Sequence, residues 1–392
     1  MKKKLLIILL IFITTQISTI VPLFPCTTFF ISEKNEGGEG SGHALMGKSY
    51  DWHLDKGIVY VNKRGLNKHA VITGVGDPLL QTHSLLQQSP AMWTSRYGSI
   101  TFNQFGREFP NGGMNEAGLA VEILLLEGSE MPHQVEHIEH TKSINELQWI
   151  QYQLDNFSSI KEMVESSKFL TIIPLHGEVH FFACDRSRAC ATFEYSNRHW
   201  VITSGEKLKV KSLSNSYYAD SASSLPKYCG FGGKESIPTD FDSLSRFVRA
   251  SSMASQFSTQ DFTNTKGTGV AGTDGAIDYG FKILESVADS DDNQWQILYD
   301  LENKGVYFRT RSKGGDKIKF IDLKSFDLSC QQPVMAFDVQ SIKGGDVTSY
   351  FKPFNRDDNL RLLHSVLHKM PAFNVPDATH TMANLPQTFI CQ

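Results

Sequence analysis

Cys26 stands where an apolar N-terminal segment ends and where Cys26-Thr27-Thr28-Phe29-Phe30, a strand-like stretch, begins. If processing stops just before it, one residue carries both a thiol and a free α-amine. That is a nucleophile with its own base, as in enzymes whose Thr or Cys is activated by an N-terminal amine. A free α-amine titrates near ~8 and a free thiol near ~8.5, so a modest positive field favours thiolate at neutral pH. Lys48 and Asp51 follow one short hairpin later, in Met46-Gly47-Lys48-Ser49-Tyr50-Asp51-Trp52. They are placed to set that field and to orient the amine. Taken alone, a cysteine here is as readily a buried structural thiol. The agreement of processing signal, strand start and nearby charges separates Cys26 from that reading.

Two other patterns match chemistry that their surroundings do not support. His133-Gln134-Val135-Glu136-His137 fits a zinc-peptidase signature, which needs a stable helix to bring both histidines to one face. Pro132 precedes it and a capping box begins at Ser143, so the segment reads as a solvated connection, and the zinc-peptidase reading is the weaker enzyme hypothesis. Gly267-Thr268-Gly269-Val270-Ala271-Gly272 fits a dinucleotide fingerprint, but the polar residues 261–266 before it are not a strand. No metal and no organic cofactor is expected.

These residues must be held by a chain of 392 residues, 40% hydrophobic and 20% charged, ordinary values for a globular protein. A net charge of -4 argues against a nucleic-acid partner, because no basic excess is present to neutralise phosphates. Lys2-Lys3-Lys4 and the apolar run from Leu5 to Ile13 have the form of an export signal. No later stretch is long and apolar enough to span a bilayer, so no stable membrane insertion is expected. The chain divides into a signal peptide or propeptide (1–25), one main domain (26–350) and a C-terminal helix and loose tail (351–392). The expected location is periplasmic or secreted. A cysteine after an apolar segment could also be a lipidated anchor, which would make this an envelope or binding protein. Lipidation consumes both thiol and amine, so the two fates of Cys26 exclude each other. Among the six cysteines, Cys184 and Cys190 flank a turn and could face each other. Cys229, Cys330 and Cys391 have no evident partners.

Past the signal, strands are expected at 27–31 and 43–50, 57–62, 68–73, 98–102 and 118–125. Capping boxes at Ser143-Ile144-Asn145-Glu146 and Ser159-Ile160-Lys161-Glu162 open two helices. Strands resume between 170 and 203, helices follow at 243–256 and 275–287, and strands return between 295 and 322. A last helix is expected at 355–370. Hairpin strands with segregated helix pairs give an α+β architecture, antiparallel sheets with helices outside.

Cys26-Thr27-Thr28-Phe29 and Gly47-Lys48-Ser49-Tyr50-Asp51-Trp52 resemble the opening of the choloylglycine hydrolase family of linear amide C–N hydrolases. That family includes bile salt hydrolases and penicillin V acylases. The resemblance continues through Gly113-Met114-Asn115-Glu116-Ala117-Gly118-Leu119, Leu213-Ser214-Asn215-Ser216 and Ser245-Arg246-Phe247, and reaches about residue 325. It implies an N-terminal-nucleophile (Ntn) hydrolase with an αββα sandwich, and an amidase that forms a thioester with a small N-acyl amide substrate. It implies that Cys26 is freed as the nucleophile, Asp51 holds its α-amine, Asn215 donates to the oxyanion and Arg246 lies near the thiol. Two positions depart from the family pattern. Lys48 stands where those enzymes carry Arg, so the charge is kept without bidentate geometry. Leu125 stands where they carry Asn or Tyr, so only its backbone N–H can serve the oxyanion. Phe29, Trp52, Trp93, Phe102 and Phe105 are candidates for an acyl pocket. A homo-oligomer is compatible with the sequence.

Overall fold

A computed structural model of the chain describes residues 26–33, 42–71, 89–132, 141–175, 178–257, 275–289, 291–311, 315–370 and 376–392. The elements that build the site are β1 (Thr27–Ser32), β2 (Ala44–Asp51), β3 (Ala120–Leu125), α1 (Glu146–Asn156), β4 (Val179–Cys184), α2 (Ser243–Phe257), α3 (Gly275–Val287), β5 (Asn293–Asp300), α4 (Arg356–Leu367) and α5 (Pro376–Asn384). The export signal, the His133–His137 motif and the glycine pattern at 267–272 lie outside the described residues.

Two sheets carry the fold. The first runs Ser212–Leu213, β1, β2, β5, Gly305–Thr310, Lys319–Asp322, Gly345–Asp346, antiparallel except for its last pair. The second has nine strands and holds β3 beside β4 in its interior. Alternation along each strand sorts the side chains into layers. From β1 and β2, Phe30, Met46 and Tyr50 point between the sheets, where they meet Phe102, Leu124 and Phe182. Phe29, Ile31 and Leu45 point the other way, onto Ile277, Ile283 and Leu284 of α3. On the far side, Val121, Ile123 and Phe181 receive Trp149, Ile150 and Leu154 of α1. The layers are therefore helix, sheet, sheet, helix, the α+β sandwich expected from the hairpins and helix pairs.

Three local expectations change. Ser143 does not cap α1. It lies in the strand Lys142–Ile144, which pairs with Leu170–Ile172, and the helix starts two residues later than a Ser143 cap would set, with Asn145 as its cap. The Asn145 side chain accepts from the Leu147 and Gln148 N–H groups, so strand pairing outcompeted the serine cap. At the second box, Ser159 does cap its helix. The tail after residue 370 is not loose over the described residues. It forms α5, and Ile390–Cys391 pairs with Leu66–His69. The cysteines resolve as disulfides Cys184–Cys190 and Cys330–Cys391, the second joining residues without any local relation. Cys26 and Cys229 are free.

Gly47, in the middle of β2, is where the flat ring of Phe29 crosses from β1, and an added Cβ would run into that ring. Phe29 is fully buried and cannot move aside. Gly47→Ala should therefore cost about 1–3 kcal/mol, as overpacking does in closed cores. Urea unfolding checks it: the midpoint should drop while the slope stays constant.

Candidate active site

The first strand places Cys26 at the edge of the inter-sheet layer, the residue only 4% exposed. One residue from a distant helix organises its surroundings. Arg246 on α2 donates from Nη1 to the Cys26 carbonyl (2.5 Å) and to Thr27 Oγ1 (2.7 Å). Its Nη2 donates to Asn215 Oδ1 (2.9 Å), and its Nε to the Phe241 carbonyl (2.9 Å). Burial lowers the guanidinium to about 10, opposed by Asp51 and Cys26, and it stays cationic at neutral pH. The arginine thus grips the main chain at Cys26 and the side chain of Thr27.

Because Arg246 occupies the amide oxygen of Asn215, the Nδ2 group turns the other way. It donates to the Leu125 carbonyl at 2.8 Å, which uses one of its two hydrogens. Leu125 ends β3. The neighbouring Leu126 N–H bonds to Glu178 and the Ile123 N–H to Asn111, on opposite edges. Backbone groups alternate between edges along a strand. Leu125 therefore turns its carbonyl and its N–H to the edge where Asn215 stands.

Asp51 is buried at the end of β2. Its carboxylate accepts from Ser49 Oγ (2.8 Å), Asn293 Nδ2 (3.1 Å) and the Asp289 N–H (3.1 Å). Burial raises it to about 7 against these bonds and the pull of Arg246. The Cys26 sulfur lies 3.8 Å from the Asp51 carbonyl, so the two residues are adjacent. Lys48 takes another direction. Its Nζ crosses to the second sheet and donates to the Ile123 carbonyl at 2.6 Å. It shares the inter-sheet layer with Glu122, whose carboxyl accepts from Tyr299 Oη (2.5 Å) and is raised by burial to about 7 despite Lys48.

Cys26 opens into a cavity lined by Tyr50, Trp52, Phe105, Leu124, Leu147 and Met370, among others. Of the five aromatic candidates, Trp52 and Phe105 line it. Phe29, from the first sheet, is core beneath α3, Phe102, from the second sheet, is core between the two sheets, and Trp93 packs behind the second sheet. Sequence reasoning missed Tyr50, Asn111 and Glu122. The Tyr50 hydroxyl donates to Gln104 Oε1 (2.8 Å) and accepts from Asn111 Nδ2 (3.1 Å), fixing the cavity wall beside Cys26. Its position two residues from Lys48 put it on the same face of β2. Glu122, a lone carboxylate in an apolar strand, was the visible signal for a buried partner of Lys48. Among the described residues, no group of three or more His, Cys, Asp or Glu side chains could hold a metal ion. No helix among them is long and apolar enough to cross a membrane.

A cysteine opening an inner strand of one of two stacked antiparallel sheets, between helix layers, defines the Ntn-hydrolase fold. Solved structures share it: the penicillin V acylase from Agrobacterium tumefaciens superposes with a TM-score of 0.67 at 22% identity, covering 84% of this chain and 98% of that one. Two variants of the conjugated bile acid hydrolase from Clostridium perfringens give TM-scores of 0.59 and 0.60 at 19% and 18% identity, covering 80% and 82% of this chain and 96% and 98% of theirs. In sequence, a penicillin V acylase from Pectobacterium atrosepticum is 32% identical over 173 residues, 41% of this chain. That match spans 45% of the acylase's length. No protein-family model matches the chain. The resemblance to the choloylglycine hydrolase family is borne out by these likenesses.

The raised Glu122 has a consequence for stability. Its carboxyl ionises near 4.5 in the unfolded chain but near 7 in the fold, so the folded state binds more protons between those values. Its contribution to stability therefore falls as pH rises from about 4.5 to about 7 and is level above. Glu122→Gln removes this slope. The stability difference, variant minus parent, should climb across that window and then flatten, read from urea midpoints at each pH. A difference that does not vary with pH would show that Glu122 is not held protonated.

Proposed function

We propose that this protein is an exported cysteine amidase that cleaves the linear, non-peptide C–N bond of a small N-acyl amide through a thioester on Cys26. The observation that carries the reading is the gathering of Asp51, Arg246 and, through it, Asn215 around Cys26, which itself lines an apolar cavity. The named likenesses are amide-hydrolysing enzymes on the same fold, which supports the reaction class. Export rests on Lys2-Lys3-Lys4 and the apolar run after it.

In this mechanism, removal of residues 1–25 frees the Cys26 α-amine beside Asp51, whose carboxylate orients it. The amine takes the thiol proton, and the thiolate attacks the amide carbon. Negative charge develops on the carbonyl oxygen. The remaining Asn215 N–H and the Leu125 backbone N–H stabilise it, each donor contributing on the order of 10²–10³ in rate. The α-ammonium then protonates the departing amine, the C–N bond breaks and the acyl group stays on sulfur. Water, deprotonated by the same amine, hydrolyses the thioester and returns free Cys26. Arg246 works as a positioning residue: it fixes the main chain at Cys26 and orients the Asn215 amide so that Nδ2 faces the reaction. Lys48 serves at one remove, by holding the β3 backbone two residues before Leu125.

A panel of N-acyl amides with apolar acyl groups, followed by acid quench and intact mass, tests the reading. An acyl adduct should appear on Cys26 and be lost in Cys26→Ala. A non-removable extension before Cys26 should abolish turnover while leaving the fold intact, because no free amine remains. Full activity in that chain would end the N-terminal-nucleophile reading. Asn215→Ala should lower kcat by ~10²–10³ with KM nearly unchanged. Asn215→Asp should be at least as damaging, since it places charge where charge develops. Near-normal acylation by Asn215→Asp would remove Asn215 from the oxyanion site.

A further inference from the structure

The wall of the cavity opposite the sandwich comes from the last 40 or so residues of the chain, which the amidase chemistry itself does not use. Helix α4 supplies Leu367 and, just past its end, Met370, and α5 supplies Met382. Two apolar contacts divide the α4 surface. Leu362, Val366 and Met370 pack on Leu54, with Trp52 and Phe105 against them. Leu363 and Leu367 pack on Ala383, with Met382 and Phe105 against them. Phe105, itself a lining residue, packs against both groups and joins them on the cavity side.

This wall is fixed to the body at both ends. The Asn359 amide oxygen, fully buried on α4, accepts from the Arg107 N–H (2.9 Å) and the Tyr60 hydroxyl (3.1 Å). At the other end, Cys391 is bonded to Cys330, and the Gln392 N–H bonds to the Gly65 carbonyl at 2.8 Å. The cavity lining is mostly apolar, nine aliphatic and three aromatic side chains beside Cys26 and Asn111, and its one charged member, Glu146, already accepts from the Leu175 N–H. A leaving amine becomes a cation and is poorly suited to such walls. An acyl chain suits them, and methionine is the side chain that adapts to the shape of apolar guests.

We propose that the C-terminal helix pair is the length gauge of the acyl site: Met370 and Met382 close the cavity and set how long an aliphatic acyl chain it accepts. The proposal rests on the amidase reading for the identity of its natural guest, but the gauge can be read without turnover. The probes are straight-chain carboxylic acids of increasing length, the acid half of the proposed product, titrated calorimetrically into Cys26→Ala. Affinity should rise about fourfold per methylene buried. It should stop rising at the length that reaches the two methionines. Met370→Ala and Met382→Ala should move that stopping point to chains longer by one or more methylenes, and Met370→Leu should restore it. The urea midpoints of the same variants show that the fold is retained.

If the stopping point is the same in all variants, or if affinity falls in parallel at every length, the helix pair does not gauge the chain and the proposal is overturned. A shift in binding length by a protein that forms no acyl adduct on Cys26 supports the gauge and removes the amidase reading instead. With both readings correct, the wild-type rate profile for N-acyl amides should break at the same length as the acid affinities.

Discussion

One buried cation holds the site together. Arg246 sends four of its five N–H groups to four acceptors drawn from three separate parts of the chain: the start of β1, the 214–216 loop and the approach to α2. A charge taken out of water is tolerated only when its hydrogen bonds are replaced, and here they are replaced by oxygens that must stand in fixed places. The helix, the loop and the first strand are therefore registered against each other by a single planar group. Lysine offers no such fork, which is why arginine suits this position while Lys48, with only one carbonyl to reach, suffices at its own.

Much of the architecture was legible because it is local. Two strand-like stretches on either side of the Gly-rich run 37–42 announce a hairpin, and Ser159 with Glu162 announces a helix start. The sandwich follows from such pairs. What escaped was set by contacts distant in sequence. Ser143 looked like a cap, but its own backbone is taken up by Ser89 and Ala91, more than 50 residues earlier, while Lys142 and Ile144 on either side pair with the strand near residue 171. Nothing near Cys330 names Cys391, 61 residues away. The end of the chain looked like a loose tail because its apolar residues have meaning only beside Phe105 and the preceding helix.

The site was legible in its residue types and less so in their geometry. The structure brings Cys26, Asp51, Asn215 and Arg246 together. It sends Lys48 across to the Ile123 carbonyl and spends part of the Asn215 amide on the Leu125 carbonyl. Spacing along a chain shows which groups share a face of a strand. It does not show which of several acceptors a long side chain will choose once burial makes every unmet donor costly.

The two disulfides differ in what they enclose. Cys184–Cys190 closes a tight hairpin of separation 6, where the strands already lie together. Cys330–Cys391 draws a noose of separation 61 around both helices of the cavity wall. On the chain-entropy view, a ring of that size restricts the unfolded ensemble by roughly 4 kcal/mol. A wall whose own two helices are short thus re-docks as a tethered flap rather than as a free tail. Such bonds form in oxidising surroundings. A chain still in a reducing compartment would carry Cys26 in place but only a half-fastened wall to the cavity beside it.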